Sequence, residues 1–178
     1  QCSLSLIIGS KFSLADGPNI ILLAKNRVGY RNLVRLITRA RRAASKGNYH
    51  LTSSEIFASH IIGCLGILLS TPAPAITKTL KKRYEQLKQD TIWLQRLLPN
   101  QVWLSVEQPS NGFDQEHLSY LIDISKQTSA PLVATGNVHM HVRSRKKLQD
   151  TLTAIRFGTT IHKIKGNLHK NAEQHLRT

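Results

Sequence analysis

The stretch "VATGNVHMHVRSRKKLQDTLTAIRFGTT", residues 133–160, sets Asn137, His139 and His141 at alternate positions just beyond a short apolar run. On extended backbone these three side chains project to one side. In α/β folds the ends of strands are where sites form. Paired imidazoles in an H-x-H pattern can hold zinc or a related divalent ion, although spacing alone identifies no carboxylate partner. The plain alternative is two polar residues at a strand-to-helix junction, one of them capping or hydrogen-bonded inside. Glu107 closes another apolar run and is a further candidate, with a capping or surface role equally open. Other chemistry finds little support. There is no G-x-x-x-x-G-K-[ST] loop, no G-x-G-x-x-G and no G-x-S-x-G. Asp16, Asp90, Asp114, Asp123 and Asp150 include no D-x-D pair of the kind that holds two metal ions for nucleotidyl transfer.

Charge is the second chemical signal. Twenty-five Lys and Arg face 10 Asp and Glu in 178 residues, a formal charge of +15, and the pI is near 10.4. Such an excess points to a polyanionic partner, nucleic acid before an anionic membrane surface. Arg27, Arg31, Arg35, Arg39 and Arg42 recur at spacings of three and four, a positive stripe on one helix, and no acid interrupts it. Like charges at such spacings repel by a few tenths of a kcal/mol each, so a phosphate-facing surface explains the stripe better than a merely solvated face. Arg143, Arg145, Lys146 and Lys147 crowd the start of a later helix, where the helix dipole weakly disfavours cations. An anion held there would relieve that cost.

Elements that would position these residues follow from periodicity. Strands are expected over 4–14, 19–26, 60–70, 102–108 and 131–136, the first two joined as a hairpin through Asp16-Gly17-Pro18. Each later strand is followed by a helix, as parallel pairing requires. The first helix is read with Tyr30, Leu33, Val34 and Ile37 inward. The helix over 76–98 buries Ile76, Leu80, Tyr84, Leu87, Thr91, Leu94 and Leu98. The next, over 113–129, is capped by Asp114 and turns Leu118, Leu121, Ile122 and Ser125 inward. The last, capped by Ser144, buries Leu148, Leu152 and Ile155, pairs Lys146 with Asp150, and stops at Gly158. Only Cys2 and Cys64 are present, without C-x-x-C, so reduced thiols are expected, with Cys64 a small core residue. No apolar run reaches the ~20 residues that cross a bilayer, and no secretory signal is visible. The chain reads as cytoplasmic. It opens at Gln1 in strand-like sequence, so sequence upstream is expected.

"GNVHMHVRSRKKLQDTLTAIRFGTT" with "LHKNAEQHLRT" closely resembles the end of the PHP domain in error-prone members of the bacterial C-family DNA polymerases, the polymerase III alpha subunit type. "LLAKNRVGYRNLVRLITRA" and "IIGSKFSL" resemble earlier segments of that domain in the same order. The resemblance implies an α/β fold, an incomplete distorted (β/α)7 barrel whose first strands lie before Gln1. Residues 1–165 would be the carboxy-terminal part of the PHP domain and 166–178 the start of the connection to a polymerase core. It implies DNA as partner, a sliding clamp and damage-response accessory proteins for the whole polymerase, Mg2+ for its chemistry, and Zn2+ or Mn2+ in intact PHP sites. Lys11 stands where the family has a glutamate and Asn137 where it has an aspartate, leaving His139 as the one matching ligand. Tight divalent binding and hydrolysis by this chain are therefore not expected. Nucleotidyl transfer would belong to sequence outside it. Two alternatives remain, a stand-alone PHP-type metal-dependent phosphoesterase and a small basic nucleic-acid-binding module.

Overall fold

The computed structural model describes residues 5–70, 77–110 and 112–177. Strands β1 (Gly9–Ser13) and β2 (Asn19–Ala24) form the expected hairpin. Its turn is anchored by Asp16, whose carboxylate accepts from the Ser53 amide at 2.6 Å and the Ser53 hydroxyl at 3.0 Å. Helix α1 (Arg27–Arg42) begins where Asn26 accepts from the Gly29 amide at 2.9 Å, leaving one fewer unmet donor in the first turn. A short α2 (Ala58–Ile61) leads into β3 (Cys64–Leu68). Then come α3 (Thr77–Leu97), β4 (Val102–Val106), α4 (Asp114–Thr128), β5 (Leu132–Ala134) and α5 (Lys146–Arg156).

The strands pair in the order β1-β2-β3-β4-β5, antiparallel up to β3 and parallel from β3 to β5. Helices α3 and α4 are the crossovers of the parallel part, as the alternation requires. Because side chains alternate along a strand, the register sorts the sheet into two faces. One carries Phe12, Ile20, Leu22, Cys64, Leu68, Val102 and Leu104, all buried against Leu33 and Leu36 of α1, Leu87 and Leu94 of α3, and Leu121 and Ile124 of α4. The other carries Lys11, Ile21, Leu23, Leu65, Ile67, Trp103 and Val133, none of them fully buried. The fold is mixed α/β, with one helix-packed face and one face that is only partly covered, where Ser105 alone is fully buried among the strand positions, and the five strands do not close on themselves.

Several sequence expectations need correction. The run 60–70 is not one strand, because α2 and the turn at Gly63, with φ of 81°, occupy its first half. The strand over 4–14 shrinks to Gly9–Ser13. In α1 the buried side is Gly29, Asn32, Leu33, Leu36 and Ala40, whereas Tyr30 is 49% and Val34 41% exposed. Gly29 lets that side approach the start of β3 closely, since a Cβ there would run into the Gly63 carbonyl and the Cys64 amide. Helix α4 buries His117, Leu121 and Ile124 rather than Ile122, and Phe113 precedes it as cap while Asp114 accepts from the Ser110 amide at 2.8 Å. Ser144 does not cap α5; it lies inside a 3-10 turn, Arg143–Arg145. Leu148, Leu152 and Ile155 are exposed, because no layer stands opposite that side of α5 among the described residues, and Thr153 and Ala154 face inward. The α3 stripe holds for Tyr84, Leu87, Thr91, Leu94 and Leu98. Ile76 lies outside the described residues, and so does the side chain of Leu80.

Candidate functional site

The ends of β1, β4 and β5 bring together residues far apart in sequence. Glu107, one residue beyond β4, is 6% exposed, and burial pushes its carboxyl above the ordinary glutamate value. Two groups oppose that shift: the Asn137 amide, which donates to Glu107 Oε2 at 3.5 Å, and the positive charge of Lys11 on β1. Beyond β5 the chain does not stay extended. Asn137 has φ of 42°, a left-handed conformation that asparagine tolerates, so the expected common side for Asn137, His139 and His141 does not form. Asn137 turns to Glu107. The His139 ring packs on His169 with centroids 4.6 Å apart, and its pKa falls below the ordinary histidine value through burial first, then the charges of His169, Lys11 and Arg156. His141 is exposed apart from them.

The segment after α5 folds back onto this corner. His139 donates its amide to Gln174 O at 2.9 Å, and Met140 bridges to His175. Asn171 donates to Pro109 O, and Arg177 to Gln108 O at 3.4 Å. A cleft of about 380 Å3 results, with Glu107, Thr135, His175 and Arg177 among its walls. Among the described residues no three His, Cys, Asp or Glu side chains gather as a metal site would need. Lys11 and Asn137 supply positive charge and an N–H to Glu107, the roles a bound cation would take. This donor set does not fit a tight divalent cluster.

The basic residues fall into two groups. On α1, Arg27, Arg31, Arg35 and Arg42 are exposed and have no ion-pair partner among the described residues. Arg39 differs, because the loop after α1 brings Glu55 to 3.9 Å. Glu55 is itself held by the Thr52 amide and hydroxyl at 2.8 and 2.9 Å, which lower its pKa more than Arg39 does. Around α5 the charges are more internally matched. Arg143 meets Glu173 at 3.0 Å, Arg177 shares that carboxylate at 3.5 Å, and Lys146 meets Asp150 at 2.6 Å. Arg145 and Lys147 remain exposed without such partners among the described residues. The cations at the head of α5 are thus partly explained by protein acids.

One polar constellation escaped the sequence reading. His117, 2% exposed, is bracketed by Ser70 Oγ at 3.1 Å on Nε2 and by the Tyr84 hydroxyl at 2.8 Å on Nδ1. The Ser70 amide in turn donates to Ser105 Oγ at 2.9 Å. Burial lowers the pKa of His117. The available signal was the spacing of His117, Leu121 and Ile124, which puts the imidazole on the buried stripe.

No family model matches the chain. Among known proteins, it is 40% identical over 174 residues to the error-prone DNA polymerase of Pseudomonas fluorescens strain Pf-5, covering 98% of this chain and 16% of that protein. It is 41% identical over 172 residues to the error-prone DNA polymerase of Methylococcus capsulatus, and 38% identical over 172 residues to that of Azoarcus strain BH72. The chain is homologous to part of the error-prone DNA polymerases. It spans 15–16% of the length of these relatives. No helix among the described residues is long and apolar enough to cross a membrane.

Proposed function

We propose that this chain is the carboxy-terminal part of a PHP-type barrel from a damage-tolerant, translesion DNA polymerase of the cytoplasm, and that it is a non-catalytic part. The observation that carries the reading is 34–41% identity over 97–98% of the chain to proteins named error-prone DNA polymerase. The open sheet supports it: additional strands would cover the exposed face and pair with the β1 and β5 edges, which among the described residues have one neighbour each. DNA is the proposed partner, through the unmatched arginines of α1 together with Arg145 and Lys147. A sliding clamp and accessory proteins, and Mg2+ at the polymerase centre, belong to the whole polymerase in this reading.

Nucleotidyl transfer needs carboxylates holding two ions about 4 Å apart. The ten acids are scattered, and no group of three metal-binding side chains gathers among the described residues. The purified 178-residue chain is accordingly expected to give no primer extension with magnesium or manganese. Extension that survives removal of host polymerases would overturn the non-catalytic reading.

Divalent binding at the β4–β5 corner is proposed to be weak. Calorimetric titration with zinc or manganese should yield no tight isotherm, while Lys11→Glu combined with Asn137→Asp should strengthen binding, since it removes a repelling cation and adds two carboxylates. Tight binding by the unaltered chain, abolished by His139→Ala, would favour a stand-alone metal-dependent phosphoesterase instead.

A further inference from the structure

The outward side of α1 carries more than charge. Tyr30, 49% exposed, neighbours Arg27 one turn back and Val34 one turn on, and Val28 is 42% exposed beside them. A groove of about 670 Å3 runs along this end of the helix, walled by Lys25, Arg27, Arg31, Tyr30, Val28 and Ile8. A second groove, walled by Val34, Arg35, Thr38, Arg39 and Arg42, lies about ten residues further on, or ~15 Å along the helix. Both combine guanidinium groups with apolar side chains, and α1 itself contains no acid.

Resting on the reading of DNA as partner, we propose that this side of α1 is a binding surface for single-stranded DNA, with Tyr30 as the residue on which a base stacks. Arginines alone would suit any polyanion. An exposed tyrosine and valines among them suit a ligand that presents flat apolar faces and phosphates in alternation, which an unpaired strand does. A duplex hides its base faces inside the stack, so it can use the arginines and leave Tyr30 idle. An acidic polypeptide likewise offers the charge without the flat faces. Arg27, Arg31, Arg35 and Arg42 are unclaimed by acids among the described residues, so binding requires no internal ion pair to break.

Fluorescence anisotropy of the 178-residue chain with labelled oligothymidine, across a range of salt concentrations, tests the surface. Oligothymidine should bind more tightly than the matching duplex. Tyr30→Ala should weaken oligothymidine binding at least about fivefold, while Tyr30→Phe, which keeps the ring, should restore most of it. Arg31→Gln and Arg35→Gln should each reduce the salt slope by about 0.7. If the chain binds neither form of DNA, the DNA reading and this surface fall together. If single strand and duplex bind alike and Tyr30→Ala changes nothing, the stacking surface is overturned while the DNA reading stands. Equal competition by polyglutamate would also overturn it, pointing to an acidic protein as the occupant.

Discussion

Gly29→Ala is expected to destabilise the fold by about 2–4 kcal/mol, lowering Tm by about 5–15 °C. Helix propensity alone says the reverse, since alanine is favoured over glycine inside a helix by about 1 kcal/mol. Packing decides against propensity here. A Cβ at Gly29 would overlap the carbonyl of Gly63, and the obstacle is backbone, so no rotamer change relieves it. That same carbonyl accepts from the Lys25 amide at 2.9 Å, and Asn26 caps Gly29 from the other side. Moving Gly63 away therefore strains the junction of β2, α1 and β3 together. Chemical denaturation of Gly29→Ala beside Val28→Ala, an exposed control one residue away, measures the effect. Equal stability of the two variants would show that the loop at Gly63 yields freely.

This junction also shows what the sequence could and could not reveal. Strand-helix alternation, the β1–β2 hairpin, the buried α3 stripe, the place of Cys64 in the core and the stop at Gly158 (φ of 60°) were legible, because each follows from local periodicity or a turn residue. The buried side of α1 was not. Gly29 and Ala40 are small and Asn32 is polar, and their burial depends on what stands opposite: a Cβ at Gly29 would meet the Gly63 carbonyl, and the Asn32 amide donates to Ile62 O at 3.0 Å. For α5 the pattern was right about which side is apolar and wrong about its burial, because burial depends on what stands opposite. The candidate site divides in the same way. Lys11, Glu107 and Asn137 could each be singled out by residue type, but their meeting depends on sheet order and on the left-handed turn at Asn137. Periodicity carries neither.

The buried His117 makes stability depend on pH in a window that can be calculated in sign. Burial holds its folded pKa below the ordinary 6.5, with the Arg83 charge acting in the same direction and the Ser70 hydrogen bond and the Asp114 charge opposing. As pH falls below about 6.5 the unfolded chain takes up a proton that the folded chain resists, so stability present above that pH is lost as pH falls toward and through the folded pKa. Glu107 works the other way. Its folded pKa is raised above 4.5, so its penalty is absent below that value and grows as pH rises through the folded pKa. Asp16 and Glu55, both lowered, lose their contribution only toward pH 4 and below. His139 is shifted in the same sense as His117 but is exposed, and solvent screens it. The comparison that isolates His117 is therefore between the unaltered chain and His117→Gln, whose neutral amide can still meet Ser70 and Tyr84 but cannot take up a proton. Unfolding free energies between about pH 4.5 and 7 should fall more steeply with acid in the unaltered chain than in the Gln variant. His117→Ala should instead lower stability by about 2–4 kcal/mol across the range, because it leaves a cavity and two buried hydroxyls short of a partner. Parallel pH curves for the unaltered chain and His117→Gln would show that the imidazole is protonated as readily in the fold as outside it, and the burial argument would fail.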